Sequence, residues 1–368
     1  MVKTLVIGAG FAGCTISQML GDKLGHDVTL IERAGYLGGG CKTFYYGGHP
    51  YTLGPRHFLT KKEAVYEYLN KMCPMKLYEG HRFLTYVEGD QAFYHFPIHM
   101  DEVQEMPDAD KILEELKNSP GAEGAKNLEE YWIRSVGETL YHKYVEKYSR
   151  KMWGIESNTE ITDFGFTPKG VALKTEKSKA AWTEAIAGFP KAFNGYDDFF
   201  DRATENVAVR LNTDIEAFDM EGYRVQVDGE WESYDMIIST VSPEVILNNA
   251  FGELRWAGRD FFKIVMPSET VFPDGVYFLY YANNEPFTRI VEYKKFYDYE
   301  SPTSLLGLEI PSNKNKLYPF PMKKDQDLHQ CYMEALPERV YSIGRMGTYR
   351  YLDVGMIIDQ CMELTSQL

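Results

Sequence analysis

Val2-Lys3-Thr4-Leu5-Val6-Ile7-Gly8-Ala9-Gly10-Phe11-Ala12-Gly13-Cys14-Thr15 is the stretch on which the fold turns. Thr4 to Ile7 is short and aliphatic, as a buried strand is, and it stops at Gly8-x-Gly10-x-x-Gly13. Phe11 to Leu20 then reads as a helix. Strand, glycine turn and helix in this order form a dinucleotide-binding unit. Gly8 permits the tight turn, Gly10 lets the backbone approach a pyrophosphate, and Gly13 lets helix and strand pack closely; the helix N-terminus offers N–H groups to phosphates.

The residues that follow supply the context. A second buried run, Asp27-Val28-Thr29-Leu30-Ile31, ends at Glu32-Arg33, about 20 residues past the glycines, where an acid holds a ribose hydroxyl. Leu37-Gly38-Gly39-Gly40 comes next. An acidic strand end trailed by a Gly-Gly turn resembles the two-dinucleotide-binding-domain flavoproteins more than the nicotinamide dehydrogenases. Cofactor contacts are therefore expected at Gly8, Gly10, Phe11, Ala12, Gly13, Glu32, Arg33, Gly39 and Gly40.

The 368 residues predict two or three lobes sharing a substantial core. No apolar run approaches the roughly 20 residues of a bilayer span. The apolar start, Leu5 to Ile16, is punctuated by glycines at cofactor spacing and reads as a core strand of a cytoplasmic protein. A net charge of −15 argues against a nucleic-acid partner, and it requires local Arg and Lys if the substrate is an anion. Cys14, Cys41, Cys73, Cys331 and Cys361 are scattered and read as reduced core thiols.

The expected fold is α/β: a Rossmann-like FAD-binding domain with a parallel sheet, an inserted helical lobe and a mixed or antiparallel sheet lobe. Residues 1–75 and 206–250 read as two parts of the FAD-binding domain, closed by a strand and helix in 336–368. Residues 76–98 supply strands to the sheet lobe, 99–153 form the helical lobe, 154–205 connect and contact substrate, and 251–335 form the mixed sheet. The turn Gly54-Pro55 places Arg56-His57 on a loop facing the flavin edge. Tyr141, Tyr144 and Tyr148 recur at i, i+3 and i+7 with lysines interleaved. That stripe reads either as core packing or as a flat platform for a nucleobase, with cations beside it for an anionic ligand. Arg289, flanked by strand formers, is fixed in direction. At Gly344-Arg345-Met346-Gly347-Thr348-Tyr349-Arg350-Tyr351-Leu352-Asp353 a strand runs into glycines and an Arg/Tyr cluster, with a helix from Val354. In a flavin domain such a strand and helix meet the ribityl chain and the ring.

These segments, with Tyr148, Trp153-Gly154, Phe287-Thr288-Arg289-Ile290 and Tyr318-Pro319, resemble the UDP-galactopyranose mutase family over nearly the whole chain. These flavoenzymes interconvert the pyranose and furanose forms of a nucleotide-bound galactose. The resemblance implies that Tyr144 stacks on the nucleobase, that Tyr148, Ser149, Arg289, Tyr318 and Tyr351 hold the diphosphate, and that Trp153 borders the sugar. It implies that Arg345, Asp353 and Met356 meet the flavin with Arg56 and His57, and that the backbone near Ile215 meets the adenosine side. Arg289, Tyr318, Tyr351, His57 and Arg56 are the residues it places at the chemistry. The implied cofactor is FAD, active when reduced by NADPH or NADH, its N5 attacking the anomeric carbon and expelling the nucleoside diphosphate. The implied substrate is UDP-galactose or a deoxy or modified sugar on UDP, TDP or GDP, and the implied assembly is a homodimer.

The chain departs from the family pattern in three places. Arg56 and Leu59 stand where the family has histidines, Leu279 aligns with a family asparagine, and no arginine occurs between Arg150 and Arg202, leaving Lys169 as the substitute for a diphosphate-binding arginine. Two other readings share the glycine and acid signals: an FAD-dependent oxidoreductase of the amine-oxidase or desaturase type, and a catalytically silent homologue.

Overall fold

The computed structural model describes residues 1–162 and 173–368. Leu5, Val6 and Ile7 are all buried, as a strand covered on both faces must be. They lie in strand Lys3–Ile7, central in a five-stranded parallel sheet of order Ala208–Arg210, Asp27–Ile31, Lys3–Ile7, Met236–Ser239, Val340–Ser342. The helix Phe11–Leu24 packs on this sheet and against the helix Val354–Gln367.

Asp228 and Gly229, both at positive φ, close a hairpin between Arg224–Val227 and Glu230–Ser233 just before the chain re-enters the parallel sheet. Two left-handed residues form the turn whose twist matches a two-residue hairpin. The segment 154–205 is more than a connection. It contributes strand Ile186–Pro190 and helix Asp197–Ala203, whose Phe199 stacks on Phe11 at 4.7 Å between ring centroids while Phe200 and Tyr196 meet that ring edge-on. The helix that begins the cofactor unit is thus walled by residues nearly two hundred positions away.

A seven-stranded mixed sheet forms the second layer, in the order Lys316–Pro319, Trp256–Met266, Ser304–Ser312, Arg289–Glu292, Val276–Tyr281, Arg82–Val87, Ala92–Phe96. Strand alternation sorts its side chains. Tyr280, Arg289 and Glu309 share the face toward the parallel sheet, whereas Leu279 and Ile290 pack on the opposite face around Phe272, Val276 and Leu306. Leu279 therefore packs away from the face that carries Tyr280 and Arg289.

In the helical lobe the tyrosine stripe is core packing. Its helix breaks at Val145 (φ −124°, ψ −46°) into Glu138–Tyr144 and Glu146–Trp153. Tyr141 donates to Glu129 Oε2 at 2.9 Å and accepts from Asn158 Nδ2 at 3.0 Å, so it braces the lobe. Tyr144 is wholly buried, its ring tilted against Phe96. The interleaved lysines are engaged too, Lys143 by Asp90 and Asp108 and Lys147 by Asn284. Four cysteines are buried as expected, but Cys331 is exposed on a helix surface. Among the described residues no helix is long and apolar enough to cross a membrane.

Candidate active site

A cavity of about 560 Å³ opens between the two sheets, within the size range of ligand pockets. One end is the glycine turn: Gly10, Phe11 and Ala12 line it with Gly38 and Gly40. An added Cβ at Gly10 would meet nothing within 4 Å, whereas one at Gly13 would lie 1.8 Å from the Gly8 carbonyl oxygen. The first glycine faces open space and the second is locked in backbone packing. No side chain caps the N-terminus of the helix Phe11–Leu24, so its first N–H groups are open to an anion. Glu32 stands beside the turn, its carboxylate accepting from the N–H groups of Ala9 and Ala34, each at 2.8 Å. The Glu32 carbonyl in turn accepts from Thr213, which carries the chain toward Ile215 at that end.

The other end is aromatic and cationic. Tyr318 and Tyr351 stack with centroids 5.6 Å apart and planes 8° from parallel. The Arg345 guanidinium lies 5.2 Å from one ring and 4.8 Å from the other, held there by the carbonyls of Leu352 and Leu317. Arg56 donates to the Gly40 carbonyl at 3.1 Å and so stands between the glycine turn and the tyrosines. Arg289 pairs bidentately with Glu309, Nε to Oε1 at 3.0 Å and Nη2 to Oε2 at 2.6 Å. Asp353 lines the same space and caps the helix Val354–Gln367, accepting from the Met356 N–H at 2.9 Å. Burial would raise the Tyr318 phenol, but Arg289, Arg259 and Arg56 outweigh it and bring it below its ordinary value. Its neighbour Tyr351 is raised, by burial and by Tyr318. The cavity thus carries the local positive field that a chain of net charge −15 needs for an anionic ligand.

His57 also faces the cavity, 4.6 Å from the Trp182 ring. Burial, then Arg289 and Arg56, push its pKa down to about 3; burial and His57 push His81, behind it, to about 2. At neutral pH His57 is therefore uncharged, and its buried Nδ1 has no hydrogen-bond partner among the described residues. The unfolded chain takes up these protons near pH 6.5 and the folded chain does not, so stability should fall as pH drops from about 6.5 toward 3. His81→Phe is expected to flatten the decline of Tm with acid, and an unchanged slope would remove His81 from this account.

Of the expected site residues, Gly10, Phe11, Ala12, Gly40, Arg56, His57, Arg289, Tyr318, Tyr351, Arg345 and Asp353 meet at one cavity. Gly8, Gly13 and Gly39 support the turn behind it. Tyr148 is buried one layer back, edge-on to the cavity residue Tyr280 at 5.9 Å. Ser149 and Trp153 are buried on the same helix, Trp153 against Phe320. Tyr144 offers no face to the cavity, because the break at Val145 leaves it in the core of the lobe. Arg33 is exposed, and the Met356 side chain points to solvent with only its backbone near Asp353. Lys169 lies outside the described residues.

The sequence reading missed the cavity wall of Phe83, Phe96, Trp182 and Tyr280. It also missed Glu309 and Arg259. Arg259 is 1 % exposed, with its guanidinium 4.9 Å from the Tyr318 ring and bonded to Met152 Sδ and the Gly258 carbonyl.

The sequence model of the UDP-galactopyranose mutase family matches residues 143–351, and a model of NAD(P)-binding Rossmann-like domains matches residues 6–72. A probable UDP-galactopyranose mutase of Klebsiella pneumoniae is 24 % identical, the match covering 99 % of this chain and 94 % of that one. A dTDP-fucopyranose mutase of Escherichia coli is also 24 % identical, over 99 % and 97 %. The crystal structure of a reduced UDP-galactopyranose mutase superposes with a TM-score of 0.83 at 18 % identity, covering 100 % of this chain and 95 % of the other.

Proposed function

The chain belongs to the UDP-galactopyranose mutase family, whose members are FAD-dependent isomerases, and from that membership we propose that it interconverts the pyranose and furanose forms of a nucleotide sugar in this cavity. The glycine turn fits the cofactor: Gly10 leaves room, the helix start is uncapped, and Glu32 stands at the end of the neighbouring strand. Reduced FAD, when bound, supplies the electron pair that attacks the anomeric carbon as the nucleoside diphosphate leaves. The chain's own residues bind and orient. Arg289, Tyr318 and Tyr351 hold the departing diphosphate, charge-assisted contacts that strengthen as negative charge builds on the phosphate. Arg56 and Arg345 fix the tyrosine pair relative to the glycine turn. Tyr148 and Ser149 back the diphosphate site from behind Tyr280, and Lys169 takes the place of the missing family arginine.

The observation that carries this reading is the stacked Tyr318–Tyr351 pair ringed by arginines. An amine oxidase has no use for such an anion site. The wall of Leu59, Phe83, Phe96, Pro97 and Trp182 supports a sugar with fewer hydroxyls than galactose, so a deoxy sugar is the favoured substrate. Dithionite-reduced, FAD-loaded protein incubated separately with UDP-galactose and dTDP-fucose should give furanose anomeric signals by NMR, the second faster. Turnover by the oxidised form alone would defeat the proposal.

A further inference from the structure

Lys143, Lys147 and Lys151, spaced four apart, adjoin the connection between strands Val276–Tyr281 and Arg289–Glu292, the first through its backbone and the other two through their side chains. The Lys143 carbonyl accepts from Asn283 Nδ2, and Lys147 Nζ donates to Asn284 Oδ1. Lys151 does something different. Its Nζ is ringed by the carbonyl oxygens of four alternate residues of that connection: Tyr281 at 3.0 Å, Asn283 at 3.3 Å, Glu285 at 2.7 Å and Phe287 at 2.9 Å. The nearest carboxylate, Glu285, stands 3.9 Å away, and the side chain is 13 % exposed. An ammonium has three protons for these four acceptors. Converging carbonyl dipoles repel one another, so the curl of the connection depends on the cation at its centre.

What the connection joins gives Lys151 its importance. Tyr280 and Arg289 are direct cross-strand partners at its two ends, and both face the cavity. The helix on the other side of the ammonium carries Tyr148 and Ser149. We propose that Lys151 is a positioning residue for the diphosphate site, fixing the hairpin that bears Arg289 and Tyr280 against the helix that bears Tyr148 and Ser149. The inference rests on the nucleotide-sugar reading of the cavity and extends it to a residue that touches no substrate. Burial lowers the Lys151 pKa to about 8 against Glu285 and Glu88, which raise it; Lys147, bonded to Asn284, and the Lys143–Asp90–Asp108 cluster are the further charges beside this connection among the described residues. Deprotonation leaves two protons for four carbonyls, so the grip loosens above that pH.

The test uses FAD-loaded wild type and Lys151→Met, with Lys151→Gln as a neutral donor should the methionine protein fail to fold. Amide hydrogen exchange over residues 281–289 should quicken in the variant. Its UDP affinity, followed by perturbation of the flavin spectrum, should fall about tenfold at pH 7, a drop of 1.4 kcal/mol. Wild-type affinity should also decline between pH 7 and 9.5, and the variant should lack that step, whereas titration of Tyr318 would act equally in both. Unchanged exchange, affinity within twofold, or the same pH step in both proteins would overturn the role of Lys151 alone. Wild type that binds neither UDP nor dTDP would overturn the nucleotide reading and this inference with it.

Discussion

Replacing Arg289 by alanine is expected to lower kcat/KM for the nucleotide sugar by about three orders of magnitude, the scale of losing one charged donor to a developing anion. Stability should suffer as well, for a separate reason. Glu309, the bidentate partner, is 1 % exposed, and removing one member of a buried pair leaves an uncompensated charge costing about 3–5 kcal/mol. The two effects can be separated. Arg289→Met combined with Glu309→Met removes both charges and keeps the volume, so Tm should recover most of the single variant's loss while activity stays low. A double variant that regains turnover would show that the arginine serves only to neutralise Glu309.

Gly10→Val and Gly13→Ala should fail in opposite ways. Gly10 has φ −72° and ψ −172°, which any residue adopts, and its missing side chain points into open space. The valine protein should fold with a Tm close to that of wild-type apoprotein yet purify without its yellow colour, because the side chain fills the space meant for the pyrophosphate. An alanine at Gly13 drives a methyl into the Gly8 carbonyl and should destabilise the first strand and helix whether or not FAD is present. A yellow Gly10→Val protein would move the cofactor away from the turn.

The parts of the site that were legible in the sequence are those whose geometry is local. Gly8-x-Gly10-x-x-Gly13, Arg56-His57 after a Gly-Pro turn, and the closing run from Gly344 to Asp353 each encode a turn and the residues beside it within about ten positions. Glu309 was not legible, because its pairing with Arg289 depends on strand register, which short-range patterning does not specify. Leu279 shows the same limit: one position from Tyr280, it lies on the opposite face of the sheet. Of the two readings of the tyrosine stripe, the structure supports core packing: Tyr141, Tyr144 and Tyr148 are all buried, although the helix that carries them breaks at Val145. Trp182 sits outside any strand or helix, with no periodicity to announce it.

The five strands behind the glycine turn come from residues 3–31, 208–210, 236–239 and 340–342, with nearly the whole chain threaded between the first and the last. During synthesis the turn therefore emerges from the ribosome long before its lateral support. A nascent chain halted short of residue 340 would display apolar strand edges and grip the flavin weakly or not at all, so cofactor capture should coincide with the final step of assembly.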